Sequence, residues 1–238
     1  MPRITPRPLA ILLLAAALVA PGVHAATPAA APAATDPEVL LHTSQGDITV
    51  ELFPERAPKS VQNFLTYVRE GFYDGTVFHR AIPGYLVQGG LYTQDLTPKR
   101  THASIPCEAD NGLSNLRGTI AVARGEAPDS GTSQFFFNLV DNRRLDFAGR
   151  QSGLTWGYAV FGKVIKGMDV VDKIAALPTR ALGPFSGDVP QPLPVIESAT
   201  VIGEAPAAMP AVSGAVAPAE PAVIAPTKGK RTKGHPAP

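Results

Sequence analysis

Val77-Phe78-His79-Arg80-Ala81-Ile82-Pro83-Gly84-Tyr85-Leu86-Val87-Gln88-Gly89-Gly90 reads as two β-prone runs, Thr76–Arg80 and Tyr85–Gln88, separated by a Pro-Gly turn. Alternation sorts the first run. If Phe78 points into a core, His79 lies on the other face and Arg80 shares the face of Phe78. An arginine on an apolar face is costly unless something polar or a ligand meets it. Gln88, in the second run, poses the same question. Two answers stay open on pattern alone: an Arg–Asp pair with a satisfied amide, or a binding site.

Outward from this stretch, more short β-prone runs follow at Thr119–Ala123, Gln134–Asn138 and Tyr158–Ile165. Upstream, Val39–Thr43 and Asp47–Leu52 flank the turn Ser44-Gln45-Gly46 and predict an opening hairpin. Downstream, Pro190, Pro192 and Pro194 lead into a closing strand at Val195–Ile202. Only two helices interrupt the series. Pro58 suits a first helical turn, Val61, Phe64, Leu65 and Val68 fall at i, i+3, i+4 and i+7, and Gly71 stands at a C-terminal cap position. A shorter helix is expected at Met168–Ala176, ended by Pro178. Many short strands with few helices predict an all-β sandwich or barrel.

The two ends differ from this middle. Seven of the 25 prolines fall in residues 1–37, seven in 204–238 and eleven between. Arg3 and Arg7, an uncharged run from Leu9 to Ala20, and small residues at Val23 and Ala25 predict a cleavable signal over 1–25. The apolar run is short of the ~20 residues that cross a bilayer. Residues 26–37 read as a flexible Ala/Pro leader, 38–203 as the folded domain, and 204–238 as a disordered basic tail. An exported protein, periplasmic or secreted, is expected, with no membrane span in the mature chain.

Net charge is +1, which singles out no nucleic-acid partner. The tail carries four basic and two acidic residues, and weak attachment to anionic envelope polymers is one expectation for it, weakened by salt. Cys107 is the single cysteine, so no internal disulfide is possible. The five histidines show no paired spacing, and Ser133 lacks a nucleophile elbow. Neither a hydrolase nor a metal site is expected, and His79 reads as structural.

Phe78-His79-Arg80, Ile82-Pro83-Gly84-Tyr85, Gln88-Gly89-Gly90 and Ser133-Gln134-Phe135-Phe136 together resemble the cyclophilin signature. Gly157–Val164, Lys166–Asp169 and Asn115–Ala121 are similar too, in order across roughly 38–203, and closest to the bacterial branch. The resemblance implies a closed antiparallel barrel of about eight strands capped by two α-helices. It implies cis-trans isomerisation of X–Pro bonds in polypeptide clients, without cofactor or metal. Carried over position by position, Arg80, Gln88 and Phe136 are the catalytic residues. Tyr85, Leu86, Phe136 and Leu145 form the proline pocket, Val122, Ala123, Arg124 and Gly125 pair with the peptide backbone, and Gln134 and Tyr158 contact substrate.

Five departures accompany the match. Arg144 stands where many eukaryotic members carry Trp, Tyr85 and Leu86 replace Phe and Met, Arg124 replaces Asn, and Tyr158 replaces His. These imply a more polar, cationic rim and weak binding of cyclosporin-type ligands, with activity kept. Trp156, in a nearby inserted loop, has no place assigned by the sequence. The rival reading is a cyclophilin-like chaperone or binding module with little isomerase activity. A closed barrel lacks an exposed edge, so a monomer is expected.

Overall fold

The computed structural model describes residues 36–204. The signal at 1–25, the leader apart from Asp36 and Pro37, and the tail beyond Glu204 lie outside the described residues. The expected opening hairpin is β1 (Glu38–Thr43) and β2 (Gly46–Leu52), paired Val39 to Val50 and His42 to Asp47. Then come α1 (Pro58–Arg69), β3 (Thr76–Ile82), β4 (Leu86–Thr93), β5 (Thr119–Val122), β6 (Phe135–Asn138) and β7 (Val160–Lys166). The chain ends with α2 (Met168–Ala175), a separate two-stranded hairpin of β8 (Thr179–Leu182) and β9 (Phe185–Pro190), and β10 (Val195–Val201).

Eight of these strands close on themselves in the order β1-β10-β3-β4-β6-β5-β7-β2, every neighbour antiparallel. Closure leaves no unpaired edge within the barrel. Its interior is filled by Leu41, Ile48, Val50, Phe78, Phe135, Phe137 and Phe161, all buried. Phe64 of α1 joins them, with its ring 5.5 Å from Phe135 and 5.2 Å from Phe161. That contact explains the i, i+3, i+4 stripe. The residue before α1 is Ala57, which offers no cap of its own. Instead the Glu108 carboxylate accepts from the Lys59 and Ser60 backbone N–H groups at 3.0 and 2.8 Å, placing negative charge at the helix N-terminus. Gly71 follows α1 at φ +63°, where a side chain would be strained.

Two expectations change. Strand β4 does not stop at Gln88 but runs through Gly89 and Gly90 to Thr93. Gly89 lies against Phe78, whose Cδ1 would be 2.7 Å from an added Cβ, so this glycine marks a close approach rather than a turn. The β8–β9 hairpin was not foreseen, because Pro184, Gly187 and Pro190 punctuate it. It covers a small outer cluster in which Leu182 and Phe185 pack on Val77, Leu91, Tyr92 and Leu96. Among the described residues, no helix is long and apolar enough to cross a membrane.

Candidate active site

A register shift between Phe78 and Arg80 decides how the site is built. Phe78 pairs with Gly89, but Arg80 pairs with Gln88, so one extra residue enters β3 at this point. Such a bulge breaks strict alternation. Phe78 belongs to the interior cluster, whereas Arg80 lines up with the outer face. The expectation that Arg80 shares the face of Phe78 is therefore corrected.

The pairing then continues across the sheet as one outer row. Arg80 pairs with Gln88, Gln88 with Phe136, Phe136 with Ala121, and Ala121 with Val160. The sequence-predicted catalytic trio thus occupies three adjacent strands at one level. Around Phe136, a second apolar cluster gathers Tyr85, Leu86, Ala121, Ala123, Leu145 and Val160, with Tyr158, Ile82 and Leu113 packed against it. Phe136 and Tyr158 meet edge to face with centroids 5.6 Å apart. All four predicted pocket residues therefore converge outside the barrel wall.

The polar members are held firmly. Gln88 is fully buried, and its Nε2 donates to Gln134 Oε1 at 3.0 Å. Tyr73 donates its hydroxyl to Ser133 O at 2.9 Å and Asn63 Nδ2 donates to Thr132 O at 2.7 Å, fixing the approach to β6. The Arg80 side chain is 12% exposed, with Nε 3.7 Å from Asp188 Oδ2. The Arg–Asp pair left open by the sequence is real, and it coexists with the row. Burial pushes the Tyr85 and Tyr158 hydroxyls up from the ordinary tyrosine value, so neither ionises near neutrality.

Arg124 departs from its expected place on the rim. It is 4% exposed, and its Nε donates to Gly157 O at 2.8 Å, Nη2 to Gly153 O at 2.7 Å and Nη1 to Gly125 O at 2.9 Å. Its guanidinium also lies 4.7 Å from the Tyr158 ring centroid. A side chain spent on its own loop carbonyls does not make the rim cationic. Arg144 does, stacked 4.6 Å from the centre of Tyr85. In the stretch expected to pair with peptide, the Val122, Ala123 and Gly125 N–H groups donate to Ala159 O, Gln134 O and Ser130 Oγ. The Val122 side chain packs into the barrel interior. Backbone pairing there would draw on other groups than these three donors. Trp156, to which the sequence assigned no place, packs edge to face on Phe147 at 5.9 Å, with the Arg150 guanidinium 5.1 Å from its ring centre.

A buried asparagine network went unread. Asn142 Nδ2 donates to Tyr85 O at 2.9 Å and to Asn138 Oδ1 at 2.8 Å. Asn138 Nδ2 donates to Asn115 Oδ1 at 3.2 Å, and Asn115 Nδ2 to Leu145 O at 3.1 Å. Three amides thereby tie the Tyr85 and Leu145 sides of the apolar slot together. The one available signal was Asn138 closing an otherwise aromatic strand. Among the described residues, no three His, Cys, Asp or Glu side chains cluster as metal ligands.

The family described as cyclophilin type peptidyl-prolyl cis-trans isomerase/CLD matches residues 38–201. The chain belongs to this family. Peptidyl-prolyl cis-trans isomerase A of Dickeya dadantii is 50% identical over 190 residues, 80% of this chain and 97% of that protein. Peptidyl-prolyl cis-trans isomerase B of Escherichia coli is also 50% identical, over 68% of this chain and 98% of its own length. Among solved structures, a Cryptosporidium parvum cyclophilin type isomerase shares the fold at TM-score 0.56 and 24% identity, covering 71% of this chain and 99% of its own. This cyclophilin is thus a peptidyl-prolyl cis-trans isomerase.

Proposed function

We propose that Arg80 is the group that lowers the barrier, acting on the prolyl nitrogen of a bound X–Pro bond. Rotation about that bond faces about 18–20 kcal/mol because the nitrogen lone pair is delocalised into the carbonyl. In the twisted state the lone pair returns to nitrogen, and a donor aimed at it binds that state better than the planar one. A guanidinium keeps its charge and its planar fork at any ordinary pH. Phe136, Leu86, Leu145 and Tyr85 grip the proline ring, while Gln88, braced by Gln134, orients the substrate backbone beside the arginine. The observation that carries this reading is the cross-strand alignment of Arg80, Gln88 and Phe136. A Cryptosporidium parvum cyclophilin type isomerase solved in the presence of the dipeptide ala-pro supports the same class of ligand, at TM-score 0.57 and 25% identity. The test is NMR exchange on an Ala-Pro peptide with wild type and Arg80→Ala. Loss of most of the catalysed exchange with an unchanged circular dichroism spectrum is expected, and wild-type exchange in the variant would overturn the assignment.

Export completes the reading. Residues 1–25 have the charge, length and small-residue pattern of a cleaved signal, and the clients are then exported polypeptides in the periplasm or medium. The similarity to the Dickeya protein spans 190 residues and so runs beyond the 38–201 barrel into a flank. A monomer with a basic tail drawn weakly to anionic polymers fits a closed barrel. Mass spectrometry of the exported fraction should give a mature chain that starts at Ala26. A full-length chain retained in the cytoplasm would overturn the export reading.

A further inference from the structure

The β8–β9 hairpin takes no part in closing the barrel, and β8 is largely exposed. What it does touch is specific. Phe185 stacks on His79, with centroids 5.1 Å apart and planes at 28°, and also meets Tyr92 edge to face at 5.0 Å. Three residues on, Asp188 brings its carboxylate to Arg80 Nε at 3.7 Å. Two consecutive residues of β3, His79 and Arg80, are thus met by two residues of β9, one ring on ring and one charge on charge. His79 is 2% exposed, and burial first, then the neighbouring Arg80 charge, lowers its pKa to about 3. It stays neutral and does not compete with Arg80 for the carboxylate.

Asp188 holds a backbone conformation that side chains avoid, φ +62°, shared among non-glycine described residues only with Leu96. Gly187 stands immediately before it, so a glycine was within one residue's reach of this turn of the chain. Left-handed backbone at an aspartate is tolerated but costs free energy, and such strain gathers where function requires a side chain. Val189, next along the chain, is fully buried and pairs with Arg180 in the hairpin. The pair is loose and Asp188 is half exposed, so it adds little to stability. Its consequence is geometric. A carboxylate 3.7 Å from Nε favours the Arg80 rotamers that keep the two groups together.

We infer that Asp188 is a positioning residue of the isomerase, acting through Arg80 by holding its guanidinium at the end of the Arg80–Gln88–Phe136 row. The inference rests on the proposed role of Arg80. The carboxylate also damps the positive charge next to the substrate, which opposes catalysis. Water screens both effects of a half-exposed carboxylate, and the direction in which kcat moves on its removal decides which is larger.

The test is a double-mutant cycle on the full chain, Asp188→Asn and Asp188→Ala each in wild-type and Arg80→Ala backgrounds. Asparagine tolerates the left-handed backbone at least as well, so Asp188→Asn keeps the fold while removing the charge. In wild type, Asp188→Ala should lower kcat about 5-fold at nearly unchanged KM, with Asp188→Asn between the two. In the Arg80→Ala background neither change should lower the residual rate further. Equal losses in both backgrounds would make Asp188 merely structural and overturn the inference, as would an unchanged or raised kcat in wild type. If Arg80→Ala itself keeps full activity, the role of Arg80 has failed instead. If Arg80→Ala is inactive but Asp188→Ala is normal, only the positioning role has.

Discussion

Strands β4 and β6 turn Val87, Gly89, Phe135 and Phe137 to the inside of the barrel and Leu86, Gln88 and Phe136 to the outside. The two faces are equally buried, yet they do different things. Inside, aromatic rings pack against one another and against Phe64, and the Tyr73 hydroxyl among them is spent on Ser133 O. Outside, the same strands set a buried amide next to a guanidinium and an apolar slot. Burial therefore does not separate core from site. The separating feature is that the outer face sets a charged side chain and a buried amide beside its apolar slot. Adjacent residues such as Phe135 and Phe136 should respond to truncation in opposite ways.

The largest contrast is between Arg80→Ala and Phe135→Ala. Removal of a donor aimed at the reacting atoms should lower kcat/KM by about 10²–10³, with the melting temperature nearly unmoved. Loss of the Phe135 ring should cost about 3–5 kcal/mol of stability, visible in thermal melts, while each folded molecule retains its rate. A Phe135→Ala chain that is stable but inactive would dissolve the distinction between the faces.

His79 sharpens the comparison through pH. It lies one residue from Arg80, on the side covered by Phe185, and it is buried in its neutral form with a pKa of about 3 against 6.5 when unfolded. Between these values the unfolded chain binds a proton that the folded chain refuses. Stability is therefore full above pH 6.5 and is lost progressively as pH falls toward 3. A urea-unfolding series should show this slope and His79→Leu should flatten it. The rate on a peptide should stay level from pH 6 to 9, since Tyr85 and Tyr158 are held protonated by burial. A bell-shaped rate profile with a midpoint near the ordinary histidine pKa would count against this mechanism.

Much of this arrangement was legible before any coordinates, for a local reason. The opening hairpin, the α1 stripe and the aromatic run at Phe135–Phe137 are each written in a few consecutive residues, and period 2 or 3.6 exposes them. The proposed catalytic trio was legible only through its resemblance to a family, because Arg80, Gln88 and Phe136 meet across three strands. Simple alternation misplaced Arg80, since a bulge at His79 has no signature in composition. Gly89-Gly90 looked like a stop, because a glycine needed for a neighbouring ring is spelled like one needed for a turn. Arg124 read as a surface charge, since the carbonyls that bury it come from Gly153 and Gly157, about thirty residues away in the chain.

Gly89→Ala probes the boundary between the faces. The added methyl would press on Phe78 Cδ1 at 2.7 Å and Val77 O at 3.0 Å, on the interior side. Overpacking of this kind costs about 1–3 kcal/mol. Because Gly89 adjoins Gln88, the strain should also reach the outer row, lowering kcat a few-fold. A variant destabilised with an unchanged kcat would show that the two faces are mechanically insulated.

The smallest expected effect belongs to Arg124, which sits behind the outer face rather than in it. Its guanidinium joins Gly125, Gly153 and Gly157 carbonyls and lies against Tyr158, whose ring in turn meets Phe136 edge to face. Lysine can reach one of these carbonyls but cannot span all three with a planar fork. Arg124→Lys should therefore loosen the 149–157 loop and the Tyr158 wall, raising KM for peptides about twofold to fivefold with kcat held. Faster amide exchange confined to that loop would accompany it. A fall in kcat at constant KM would instead place Arg124 among the groups that meet the twisted bond, and the cationic rim that its sequence position suggested would return.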